Sequence, residues 1–207
     1  VDNSLKETTT NSFYTVSGLN TSTTYVIEIV AYDIDNNKSA KSNSINATTT
    51  AGTSNGITEL FISEYAEPSI ANNKAIEIVN LTASTVNLSD YSIQKQSNGS
   101  SWVDDYPLGD FNIVPGDVFV IVHADTNNNL LLAEADKFGP PNIDTSPYGY
   151  GSPLNFNGND PVGLFKNGEL IDIIGEEGNS SNHIQNKTYR RKATVSEPNT
   201  RFDSSEW

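Results

Sequence analysis

The stretch FNGNDPVGLFKNGELIDIIG, residues 156–175, decides how the rest of the chain is read. Two Asn-Gly pairs, several acids and an alternating apolar pattern share a short span. Three readings compete for it: an acidic active site, a metal loop, or a hairpin with polar turns. Asn167-Gly168 stands between two apolar alternations. A two-residue hairpin turn needs positive φ at both positions, which Asn and Gly adopt most easily. The pattern therefore predicts a strand, a type I′ turn and a second strand. Asn157-Gly158 reads as another turn, ahead of the hairpin. On this reading Asp160, Glu169 and Asp172 are strand-end or outward residues, not reactive ones.

The same period of two recurs on either side. In ELFISEYA (59–66), Leu60, Ile62 and Glu64 alternate with Phe61, Ser63 and Tyr65. KAIEIVN (74–80) puts Ile76 and Ile78 on one side, with Glu77 and Val79 on the other. STVNLSDYSIQKQ (84–96) and VPGDVFVIVHA (114–124) read as further strands, the second led by a Pro-Gly turn. Residues 128–137 hold the one helix candidate. Nearer the start, TTYVIEIVAYD (23–33) alternates Tyr25, Ile27, Ile29 and Ala31 with Val26, Glu28, Val30 and Tyr32. DNNK (35–38) supplies a turn, and SAKSNSINATT (39–49) a partner strand. The small, polar TTAGTSNG (49–56) reads as a linker. The organisation expected is a first β unit over residues 1–50, a linker over 51–56 and a second β unit over 57–207.

Composition narrows the function. The 207 residues carry a net charge of −14, a surface that repels phosphate backbones, so no direct nucleic-acid binding is expected. The one dense basic run, NKTYRRK (186–192), reads as a solvated strand pairing with nearby acids. There is no Cys, so hydrophobic cores rather than disulfides hold the fold. No signal peptide or membrane span is visible. There is no Met even at position 1, and a piece of a longer chain is expected.

Two resemblances organise these segments. Residues 1–50 resemble the C-terminal half of a fibronectin type III domain. Leu19, six residues before Tyr25, matches that family's tyrosine corner, and Tyr25, Ile27, Ile29 and Ala31 match its inward-facing strand. The first strands and the core tryptophan of such a domain are missing. Half a sandwich exposes its core face, so this half is expected to pack on something or to be poorly ordered.

Residues 57–207 resemble a lamin-tail domain of the bacterial secreted type. The motifs come in order: LFISEYAEPS, KAIEIVNLTASTVNLSDYSIQKQSNGS, IVPGDVFVIV, then LNFNGNDPVGLFKNGELIDIIG. The trailing TYRRK, EPNTRF and SSEW are similar to the version in Bacteroidetes-like bacteria, which often follows a fibronectin type III module beside an extracellular endonuclease or other hydrolase. The resemblance implies an all-β, immunoglobulin-like β-sandwich, a secreted or cell-surface location, and an accessory or interaction role without catalysis. The departure from simpler members is a long insertion over residues 133–153.

His123 follows an apolar strand and His183 sits in a polar run; both read as surface residues. There is no GxSxG elbow. Calcium is the one ion the oxygen-rich loops suggest. Asp33, Asp35 and Asn37 begin like a calcium loop, but Lys38 replaces the required glycine. Asp125, Asn127, Asn129 and Asp136 repeat the spacing, with Leu130 in place of glycine. Asp125 reads rather as a cap for the short helix. Glu64 and Glu77 lie on strands with apolar neighbours. They form either an acid pair or two carboxylates meeting Lys74, Arg190 or Arg191.

The aromatic set Trp102, Tyr106, Tyr148 and Tyr150 lies on loop-like segments and is the binding surface the sequence suggests, for protein or cell-surface polysaccharide. The expectation is a non-catalytic extracellular accessory module for a secreted enzyme, a nuclease or other hydrolase, whose catalytic domain lies outside this segment. Two alternatives stand beside it: a glycan- or protein-binding module built on those aromatics, and a hydrolase with a carboxylate site.

Overall fold

In the computed structural model Asn167 and Gly168 take φ of 51° and 81°, and Lys166 pairs with Glu169. The type I′ geometry required by the dipeptide is present. The structure describes residues 8–10, 16, 19, 23–49, 57–69, 72–140 and 153–207. The linker expected over residues 51–56, the rings of Tyr148 and Tyr150, and most of the 133–153 insertion lie outside the described residues. By its contacts the chain divides into two units, Val1–Ala51 and Gly52–Trp207.

In the first unit β1 (Thr24–Ile27) pairs antiparallel with β2 (Ile45–Thr48). Asp33 builds the turn between them: its carboxylate accepts the backbone N–H of Asp35 at 3.0 Å and of Asn37 at 2.8 Å. Asn36 there takes φ of 63°. Ile27 and Ile29, expected to face inward, are 41% and 71% exposed.

The second unit is a sandwich of short strands. They are β3 (Phe61–Glu67), β4 (Ala75–Val79), β5 (Val86–Asn87), β6 (Tyr91–Gln96), β7 (Trp102–Pro107), β8 (Asn112–Ile113) and β9 (Val118–Val122). After the helix α1 (Asn129–Glu134) come β10 (Lys137–Phe138), β11 (Val162–Lys166), β12 (Glu169–Ile174) and β13 (Lys187–Arg190). One sheet has the order β10-β9-β4-β3-β13, the other β12-β11-β6-β7, and β5 and β8 form a small ribbon. Ile62, Ile76, Ile78 and Ile121 from the first sheet meet Tyr91, Ile93, Leu164 and Ile174 from the second in one fully buried core. Ile76 and Ile78 point inward together, as their alternation predicts. This is the immunoglobulin-like β-sandwich that the resemblance implied.

Three strands carry an extra residue, and each changes what faces outward. In β3 the pairing shifts from Ile62↔Ile78 to Glu64↔Glu77. Two residues of β3 therefore oppose one of β4, a β-bulge at Ser63. Strict alternation would place Glu64 beside Leu60 and Ile62. The bulge instead sends Tyr65 into the core with them and turns Glu64 outward. In β7 the pairing steps from Ile93↔Tyr106 to Lys95↔Val103, and Asp104 takes φ of 62°. In β12 it steps from Leu164↔Asp172 to Phe165↔Leu170. That step puts Asp172 opposite buried Leu164, hence on the core side.

Four expectations change accordingly. Asp172 is fully buried and Asp160 nearly so, while Glu169 is exposed. Both buried acids survive because N–H donors surround them. His123 is also fully buried, not on the surface: it follows β9 directly, and its Nδ1 accepts the Asp125 N–H at 3.1 Å. Burial pushes its imidazole pKa down, which keeps it neutral. Arg191, at the end of the basic run, has only 3% of its side chain exposed. The helix cap is Asn128, whose side chain accepts the N–H groups of Leu130 and Leu131, rather than Asp125.

Candidate functional site

On the outer face of the five-stranded sheet one register row runs Arg190, Glu64, Glu77, Val120 across β13, β3, β4 and β9. The next row holds Ala66 and Ala75, whose small side chains leave a depression. Val118 and Val120 continue its floor, and Leu131 and Glu134 of α1 form its far wall. The groove encloses about 220 Å³. Directly opposed residues place their Cβ atoms about 5 Å apart, so the two glutamates that the sequence singled out are brought together.

Their partners differ. Glu64 accepts from Arg190 Nε at 2.7 Å, and from its Nη2 at 3.4 Å. Glu77 accepts a neutral hydroxyl, Ser63 Oγ at 2.7 Å. Burial pushes the Glu77 carboxyl up; the Ser63 bond and the charge of Arg190 oppose this, and the charges of Glu64 and Glu134 add to it. The groove thus pairs an ion-paired carboxylate with one hydrogen-bonded to a neutral hydroxyl, on which Arg190 acts through its charge alone. Sequence reasoning did not place α1 over this face. Its signal was available: NLLLAE, residues 129–134, carries three leucines, and Leu130 is 77% exposed.

The buried acids elsewhere hold structure. Asp172 accepts the Ile62 N–H at 2.7 Å, the Asn199 N–H at 2.8 Å and Arg191 Nη2 at 2.5 Å. Burial pushes its carboxyl up to about 6, against the pull of Arg191 and those two N–H groups. Arg191 Nη1 also reaches Glu206 at 2.5 Å, and its guanidinium lies 4.4 Å from the centre of the Trp207 ring. This cluster clamps residues 191–207 onto the sandwich. Asp160 closes a turn, accepting the Asn98 N–H at 2.7 Å and the Asn157 N–H at 3.0 Å. Nearby, buried Glu67 accepts the Asn186 N–H at 2.5 Å, and Lys74 donates to the Phe156 carbonyl.

The predicted aromatic set is divided. Opposed residues share a face of a sheet, and Tyr106 opposes core residue Ile93 while Trp102 opposes Gln96, three positions further on. The β7 bulge therefore sets the two rings on opposite faces. Trp102 lies edge-on to Phe165 at 5.1 Å and donates from Nε1 to Glu177 at 3.0 Å. Tyr106 donates from its hydroxyl to the Phe138 carbonyl at 2.8 Å, joining the open ends of the two sheets. Tyr148 and Tyr150 lie outside the described residues.

Among the oxygen ligands considered for calcium, Asp136 accepts the Val120 N–H at 2.8 Å. Asn129 begins α1, and the Asn127 N–H donates to Asn73 at 3.3 Å. Among the described residues no group of three or more His, Asp or Glu is set to hold a metal ion. His183 is half-buried; its Nε2 accepts the Glu176 N–H at 2.8 Å and its Nδ1 lies 2.7 Å from the Ser181 carbonyl. Those partners require the Nδ1–H tautomer. Among the described residues no helix is long and apolar enough to cross a membrane.

The family model of the lamin tail domain matches residues 53–178. No curated protein and no solved structure matches the chain. Lamin tail domains are non-catalytic, immunoglobulin-like protein-interaction modules, which agrees with a sandwich whose buried acids serve its own fold. With more than half of its residues under that match and the sandwich in place, this chain belongs to the lamin tail domain family.

Proposed function

We propose that this chain is an extracellular accessory module that anchors, spaces or mediates interactions for a secreted enzyme, a nuclease or other hydrolase, whose catalytic domain lies outside residues 1–207. The observation that carries the reading is where its acids go. Asp172 clamps the tail, Asp160 closes a turn, and Glu64 is ion-paired to Arg190. The acidic surface, with a net charge of −14, suits a soluble secreted or cell-surface protein that avoids nucleic acid.

One observation favours the hydrolase alternative. Glu64 and Glu77 oppose each other across β3 and β4, so two carboxylates share one groove, as paired-carboxylate hydrolases require. A single experiment separates the two. Residues 57–207 are deleted from the full-length secreted protein, and turnover of a small soluble substrate is measured beside retention at the cell surface. Under the accessory reading turnover stays within about twofold and retention is lost, a uniform-binding loss rather than a chemical one. Abolished turnover of the small substrate, reproduced by Glu77→Gln alone, would sink it.

A further inference from the structure

The groove over β3, β4 and β9 has an imbalance that its own residues do not correct. Glu64, Glu77 and Glu134 line it, against one cation, Arg190. The Arg190 side chain is 77% exposed, so its pairing with Glu64 is a surface salt bridge of the weak kind. Glu77 is held by the Ser63 hydroxyl and feels Arg190 through its charge rather than through a hydrogen bond among the described residues. The floor between these acids is apolar: Ala66, Ala75, Val118 and Val120. At about 220 Å³ the groove is smaller than the roughly 300 Å³ at which pockets for drug-sized ligands begin. Its size therefore suits one side chain rather than a small molecule.

We propose that this groove receives a single lysine or arginine side chain from an extended basic peptide of a partner protein. The aliphatic stem lies on Ala66, Ala75 and Val120, and the charged head reaches Glu77 and Glu134. Long basic side chains pair an apolar stem with a cationic end, which matches an apolar floor with an acidic wall. The field of a chain at −14 draws such a peptide in before contact. Exposed Leu130 and Leu132, on α1 beside the groove, offer apolar contact to the flanking peptide residues. The inference rests on the interaction-module reading and gives that module a partner chemistry.

The test is fluorescence anisotropy of a labelled octapeptide alternating lysine and serine, titrated with the whole chain. Saturable binding is expected. Glu77→Gln and Glu134→Gln each weaken it about tenfold, as loss of a charged hydrogen bond does. Glu169→Gln removes the same charge from the exposed end of β12 and changes binding less than about twofold by long-range charge alone. Arg190→Ala removes the competing cation and tightens binding. Thermal melts establish that each variant is folded. Equal weakening by Glu169→Gln and Glu77→Gln would overturn the groove in favour of diffuse attraction, and so would an absence of saturable binding by folded wild type. Binding followed by cleavage of the peptide would uphold the groove and instead overturn the non-catalytic reading.

Discussion

Arg191→Ala tests whether the clamp on residues 191–207 holds the fold. The substitution leaves the Asp172 carboxylate inside the sandwich with two backbone N–H donors and no cation. It also removes the guanidinium that meets Glu206 and the Trp207 ring. Breaking a buried pair from one side costs about 3–5 kcal/mol. For a unit of this size each kcal/mol moves Tm by about 2–4 °C, so a drop of about 6–20 °C is expected. The loss has a sign in pH. Asp172 has a folded pKa of about 6, above the ordinary aspartate value, so its contribution to stability is fully present in acid and is lost as pH rises through about 6.

Without Arg191 that folded value climbs further. The deficit of the variant is therefore largest near pH 8 and shrinks as the buried carboxyl takes up a proton. Urea titrations followed by tryptophan fluorescence at pH 8 and pH 5 measure both numbers. The double variant Asp172→Asn/Arg191→Met removes both charges together and recovers most of the loss, because a neutral pair leaves no stranded ion. A loss below about 1 kcal/mol for Arg191→Ala, far under the expected range, would refute the reasoning. A loss independent of pH would refute the role given to Asp172.

Three further outcomes are expected. Glu59 accepts from Lys166 at 2.7 Å, Tyr91 at 2.5 Å and the Leu60 N–H at 2.9 Å. Burial raises its carboxyl, but those donors together bring it below the ordinary value. Its contribution is therefore present above about pH 4.3, the unperturbed glutamate pKa, and is lost as pH falls through its lowered pKa; Glu59→Gln flattens this acid limb in a pH series of melts. Gly158→Ala destabilises by about 1–3 kcal/mol or more in urea, because the new Cβ would meet the Gln185 backbone at 2.2–2.4 Å. Asn167→Val loses about 1 kcal/mol or more in the same assay, since a β-branched residue resists the φ of 51° that the hairpin needs.

The sandwich was legible because period-two alternation and the Asn-Gly turn are local signals. Ile76 with Ile78, and Lys166-Asn-Gly-Glu169, needed nothing beyond their neighbours. The two misplaced acids depend on distant residues. Asp172 is tolerable inside because Ile62, 110 positions away, offers its N–H, and because Arg191 folds back over it. Asp160 depends on Asn98, 62 positions away. The β12 bulge did leave a trace: in ELIDII two adjacent apolar residues precede Asp172 and two follow it, which no clean alternation produces. The candidate site was half legible. Glu64 and Glu77 were singled out, but their meeting depends on strand register, and the α1 wall depends on where the chain goes after β9.

Ser63 is one residue more than β3 needs to match β4. A strand without it would pair evenly, with Ile62 and Tyr65 still inward and Glu64 still outward. The same sequence laid flat, with Ser63 taken into the ladder, would instead turn Glu64 into the oily interior and stand Tyr65 in water where the acidic groove now lies. The sheet therefore tolerates loss of this small polar residue better than loss of the kink it occupies, and that kink decides where the charge of this surface is displayed.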